Sequence, residues 1–241
     1  MNQAQDPLLD RVGAAAGIAF VALFLAIIMF APHLPAPQHS ITDIAQSARG
    51  DKTGVLFATY MGALLTGAML VFGAAIAARL RRAEGAGGGW WLIALTGVAG
   101  TAVGLVTQET IVGLVRAVGH GVAGNVLWLS YPPGPDGVDI AIPLAVFLLA
   151  AGSGVRATGA LPRWLGWLAL ALAGCFAVGA AGVTGNEVDG GILGMVLSIG
   201  YMGLLVWVIG ASVKLWRLTP ASKIDHAATL LLRTDEGVDR A

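Results

Sequence analysis

Five stretches of this chain carry no charged side chain: residues 12 to 42, 53 to 78, 85 to 108, 164 to 186 and 190 to 213. All are mostly apolar, and the run from Trp164 to Asn186 alone covers 23 positions. A bilayer core about 30 Å thick is crossed by roughly 20 helical residues at about 1.5 Å rise each. No soluble fold of this size could hide that much apolar surface. The chain therefore reads as an all-α polytopic membrane protein. Only 12% of its 241 residues are charged and 56% are apolar, whereas soluble domains carry about 25% charged residues.

Composition also excludes several classes. The formal net charge is zero, so nothing points to nucleic acid, and the expected surroundings are the lipid bilayer and other membrane proteins. The single cysteine, Cys175, lies inside an apolar run. It can form neither an intrachain disulfide nor a cysteine-based metal site, and reads as a small buried hydrophobe. The first apolar run, Val12 to Ala31, is 20 residues long and follows Asp6 and Asp10. A secretory signal has a core of roughly 7 to 15 residues, so this run is expected to be a retained first helix.

The hydropathy pattern predicts six transmembrane helices, at about 12 to 32, 54 to 80, 90 to 114, 138 to 156, 164 to 185 and 190 to 215. Arg79, Arg81, Arg82, Arg156, Arg163, Lys214, Arg217 and Lys223 then fall on one side, against Arg49, Lys52 and Arg116 on the other. The positive-inside rule puts both termini in the cytoplasm. Residues 110 to 131 are long enough to form a seventh span. That would turn Arg156, Arg163, Lys214 and Arg217 outward, against the charge bias, so six spans are favoured, with the third helix extended into an interfacial or re-entrant segment. Ser40 to Arg49 reads as a short outer helix after the prolines of PHLPAP. Residues 1 to 217 form the transmembrane domain, and 218 to 241 a cytoplasmic tail, partly disordered or lying on the membrane surface.

Apolar burial does not drive helices together in lipid, so small residues that allow close approach are informative. Thr96, Gly100, Gly104 and Gln108 recur every four positions, as do Gly190, Gly194 and Ser198. Gly13 and Gly17 make a shorter ridge. These faces are expected to touch other helices, within the chain more than in a dimer.

The basic turn Arg79-Leu80-Arg81-Arg82-Ala83-Glu84, the apolar Ala145 to Ala151 and the segment Arg156-Ala157-Thr158-Gly159-Ala160-Leu161-Pro162-Arg163-Trp164-Leu165-Gly166-Trp167 together resemble a pattern found in multi-pass membrane proteins of actinobacteria, a family without assigned activity. The resemblance covers most of the chain. It implies a first outer loop with a short helix, a basic inner turn after the second span and an LPRWLGW-like start to the fifth, and implies nothing about chemistry. The chain departs from many such proteins in its PPGPDG loop. Physically, Pro162 suits a helix start, where its missing N–H is harmless, and Arg163, Trp164 and Trp167 suit an inner interface.

Glu109 is the one acid well inside an apolar segment, and Asp139 lies at an outer edge. On a continuing helix Glu109, Gly113, Arg116 and His120 share a face, with Gln108 beside them. An intramembrane ionisable group is a functional hypothesis by default; the alternative is that Glu109 reaches headgroup water or simply pairs with Arg116. His33, His39 and His120 could meet at the outer face, yet none has a metal-type spacing, and no cofactor is expected. GAGGG at 85 to 89 lacks the Lys-Ser/Thr of a phosphate loop and reads as a flexible inner turn. No nucleophile motif occurs, so enzymatic activity is not expected. Two readings follow: an accessory or assembly subunit packing against other membrane helices, or a small-solute carrier or receptor with an outward-facing polar site at Glu109, Arg116 and His120.

Overall fold

The computed structural model describes residues 7–30, 52–118, 138–181 and 191–217. Among them each long apolar run is an α-helix: α1 (Pro7–Phe30), α2 (Lys52–Glu84), α3 (Trp90–Val118), α4 (Val138–Thr158), α5 (Arg163–Ala181) and α6 (Ile192–Arg217). In lipid the backbone must satisfy its own hydrogen bonds, and a helix does so within one segment. Five of the helices are long and apolar enough to cross a membrane. In α3 the apolar stretch with described side chains, Trp90–Val106, is shorter. The α3 backbone stays helical through Val118, a few residues past its expected end. The short outer helix expected at 40 to 49, most of the 110 to 131 segment and the tail from 218 lie outside the described residues.

Successive helices are neighbours, and α6 returns to pack on α1, so the six form a closed antiparallel ring, with α2 also touching α4 across it. Small residues permit this closeness. A Cβ added at Gly97 of α3 would lie 2.5 Å from the backbone nitrogen of Phe147 in α4, and one at Gly17 of α1 would overlap the Ser212 hydroxyl of α6 and the Phe72 ring of α2. At Gly100, an added Cβ would sit 2.9 Å from the Pro143 ring, and Gly104 is buried. The α6 ridge behaves differently. Gly194 is half-buried and Ser198 is exposed, its hydroxyl donating to the Gly194 carbonyl of its own helix (3.0 Å). Inward packing of α6 falls instead to Leu197, Gly200, Leu204 and Trp207, one helical face round from that ridge. Gly190 lies outside the described residues.

At the centre, Trp207 is fully buried and meets Phe72 and Phe147 edge to face, at 5.9 and 5.7 Å between centroids. Its indole N–H donates to the Leu165 carbonyl of α5 (3.0 Å), which satisfies the one polar atom such a ring must bury. Outside, Ile18, Leu25, Val103, Leu149, Val178 and Ile199 are all exposed. In water this would be a large sticky surface; against lipid it costs nothing.

Candidate functional site

All charged residues with described side chains lie at one end of the ring: the start of α1, the end of α2, the end of α4, the start of α5 and the end of α6. The centre of this end is Asp10, whose side chain is only 5% exposed. One carboxylate oxygen accepts from Arg79 (3.0 Å) and the other from Arg82, so α1 and α2 are joined by a two-armed ion pair. Arg79 also donates its Nε–H to the Ala160 carbonyl (2.8 Å) in the turn between α4 and α5. One guanidinium thus bridges three parts of the ring, as its planar fork of donors allows.

The local sequence makes that carbonyl available. Gly159 ends α4 at φ +70°, a left-handed conformation that glycine adopts without a steric cost. Its N–H returns to the Val155 carbonyl (2.8 Å), and the Thr158 hydroxyl accepts from the Ala160 N–H (3.2 Å). Pro162 then leads into α5. On α2, the chain passes through a short 3-10 turn, Gly85–Gly87, and the Glu84 carboxylate accepts from the Trp90 N–H (3.1 Å), capping the positive start of α3. The GAGGG segment is therefore a specified turn with Gly85 at φ +71°.

Around this latch, cations lie over indole rings: Arg156 over Trp167 (3.7 Å), Arg81 over Trp91 (5.0 Å) and Arg11 over Trp216 (5.9 Å). Pairs of this kind suit a headgroup layer, where one end of each side chain is wet and the other apolar.

The second feature is a cavity of about 350 Å³ in the half of the ring away from the arginines, lined by α1, α2, α3, α4 and α6. Its wall is almost wholly apolar, including Phe20, Phe24, Met69, Leu144 and Leu204. Thr101 and Tyr201 are the polar residues of its lining, and the Thr101 hydroxyl donates to the Gly97 carbonyl (2.8 Å).

The polar stripe expected on the third helix is carried by the α3 backbone at positions 108, 109 and 116. The side chains of Gln108, Glu109 and Arg116, and all of His120, lie outside the described residues. Sequence reading missed both features above. Asp10 was an argument against a signal peptide and the arginines a topology marker. The signal was present: an acid just before the first span must lie level with the basic end of the second once the hairpin folds. The cavity had no such signal, because its lining residues are ordinary apolar positions on five separate helices. Among the described residues no three His, Cys, Asp or Glu side chains come together as metal ligands, and Cys175 is a half-buried free thiol beside Gly200. No protein-family model, curated protein or solved structure matches this chain.

Proposed function

We propose that this chain is a non-enzymatic subunit of the bacterial cytoplasmic membrane, spanning it six times with both termini inside, whose outer faces pack against other membrane helices. The observation that carries this is the division of its small residues into two sets. Gly13, Gly17, Gly73, Gly97 and Gly152 are used up inside the ring, where an added Cβ would meet a neighbouring helix within 3 Å. Gly67 of α2 and Gly174 of α5 are exposed, with nothing within 4 Å of an added Cβ, and Ser198 of α6 is exposed too. Glycine lowers helix stability by about 1 kcal/mol relative to alanine, and a lipid-facing position gains nothing from it. A helix from another protein, approaching closely there, would.

The orientation rests on the eight bases Arg11, Arg79, Arg81, Arg82, Arg156, Arg163, Lys214 and Arg217 gathered at one end, which the positive-inside rule assigns to the cytoplasm. The test is isolation from native membranes in mild detergent. A stoichiometric membrane partner is expected with the wild-type chain, and its loss with Gly174→Leu, a variant whose own unfolding temperature should stay within a degree or two of wild type. Purification of the wild-type chain alone would overturn the subunit reading.

A further inference from the structure

We infer that the cavity in the outer half of the ring is a binding site for one linear hydrocarbon chain, the acyl chain of a fatty acid or of a membrane lipid. This goes beyond a role in assembly and rests on different residues.

Its depth comes first. Phe20 is 10 positions from Asp10 and Ile27 is 17, about 15 and 26 Å along the helix axis. Leu65 stands 14 positions before Arg79, Leu144 12 before Arg156 and Leu204 10 before Lys214, or about 21, 18 and 15 Å. The lining thus occupies one slab, about 15 to 26 Å from the charged end, inside a hydrocarbon layer about 30 Å thick. A ligand there comes from the membrane, and its long axis can stay parallel to the spans, as lipid tails already lie.

The floor is closed. Phe72, Phe147 and Trp207 lie three positions inward of the lining residues Met69, Leu144 and Leu204, and all three rings are fully buried against one another. One wall is a set of stacked rings, Phe20 to Phe24 along α1 (6.2 Å) and Phe24 across to Tyr201 of α6 (6.0 Å). Phe24, Ile27, Leu105 and Tyr201 are half-buried while the rest of the lining is buried, so the partly exposed portion of the wall belongs to α1, α3 and α6.

Chemistry then selects the occupant. With no charged side chain in the lining, the Thr101 hydroxyl spent on its own helix and Tyr201 the one other polar residue, a charged or strongly polar ligand would lose its hydration with little to compensate it. Water gains nothing in such a space, and apolar cavities of this kind stay dry. An empty cavity, in turn, leaves its lining without dispersion partners. The volume, about 350 Å³, is at the small end of ligand pockets, roughly 300 to 1,000 Å³. A flexible chain can adapt to the space beside Met69, itself an adaptable side chain, whereas a rigid fused-ring lipid needs a cavity matched to its shape.

The test uses the purified full chain in detergent with two photoactivatable probes, palmitic acid and a phosphatidylglycerol, each bearing a diazirine near the chain end. Peptide mapping should find label on the segments holding Phe20 to Ile27 and Tyr201 to Leu204, with at least a tenfold reduction by excess unlabelled palmitate. Label from the fatty acid alone identifies a free acid as the ligand, label from the phospholipid alone identifies a lipid, and label from both identifies the chain itself. Leu144→Trp should fill the cavity and abolish the competable label, while Ile199→Trp, which faces outward, should keep it. Uncompeted label spread equally over outward-facing peptides would overturn the proposal, as would competition by a sterol but not by palmitate. Wild-type competition decides the matter should Leu144→Trp fail to fold.

Discussion

Asp10 shows how one acid can be affordable at the edge of a membrane domain. A carboxylate this buried is tolerated because two guanidiniums face it and each of its oxygens accepts a hydrogen bond. The arginines are about one-fifth exposed, so solvent screening keeps the net worth well below that of a fully enclosed pair. The two cations are not equivalent, since only Arg79 also holds the Ala160 carbonyl. Asp10→Asn should lower stability by about 1 to 3 kcal/mol, the cost of leaving a charged donor underpaired, and Arg79→Gln should cost more than Arg82→Gln. Thermal unfolding in detergent measures all three; equal costs for the two arginines would show that the link to the α4–α5 turn carries no weight. The sequence made Arg79 and Arg82 visible as topology markers, but it could not reveal that one of them reaches across 81 residues to a main-chain carbonyl. That bond depends on the left-handed cap at Gly159, and nothing local to Arg79 encodes it.

Helix faces were legible to different degrees. Gly13 and Gly17 of α1 lie close against α2 and α6 and Gly100 of α3 close against α4, but Thr96 at the head of the α3 ridge is exposed. Sequence spacing picked Gly100 and Gly104 but passed over Gly97, which makes the closest approach to α4 because it opposes the backbone of Phe147 rather than a side chain. Spacing finds a period; it does not find the phase, and in α6 the inward face is a step away from the Gly194–Ser198 ridge. Gly97→Leu should therefore destabilise by about 1 to 3 kcal/mol, the usual cost of overpacking, read as a lower midpoint in detergent unfolding. A wild-type midpoint would mean that α3 and α4 can separate there without loss.

For the whole molecule, the alternation of apolar runs and bases was enough to place six helices and to gather their charged ends, because in a bilayer those two patterns are imposed by the solvent itself. What lies between the helices was not legible, since the cavity and its floor arise from where five helices happen to leave space. Orientation is open to direct measurement in a Cys175→Ala background. New cysteines at Gln46 and Asp136 should react with an impermeant thiol reagent added outside intact cells, and one at Gly87 should react only after permeabilisation. Labelling at Gly87 in intact cells would reverse the topology. The return of α6 onto α1 has one more consequence. Because the end of α6 at Arg217 and the start of α1 at Pro7 lie side by side at the charged end, the six described helices have no outermost member. Joining those two points and opening the Gly85–Gly87 turn instead would leave every helix with the same neighbours and both new ends at the charged end of the bundle. The order of the helices along the chain is then one of several equivalent ways to cut a circle.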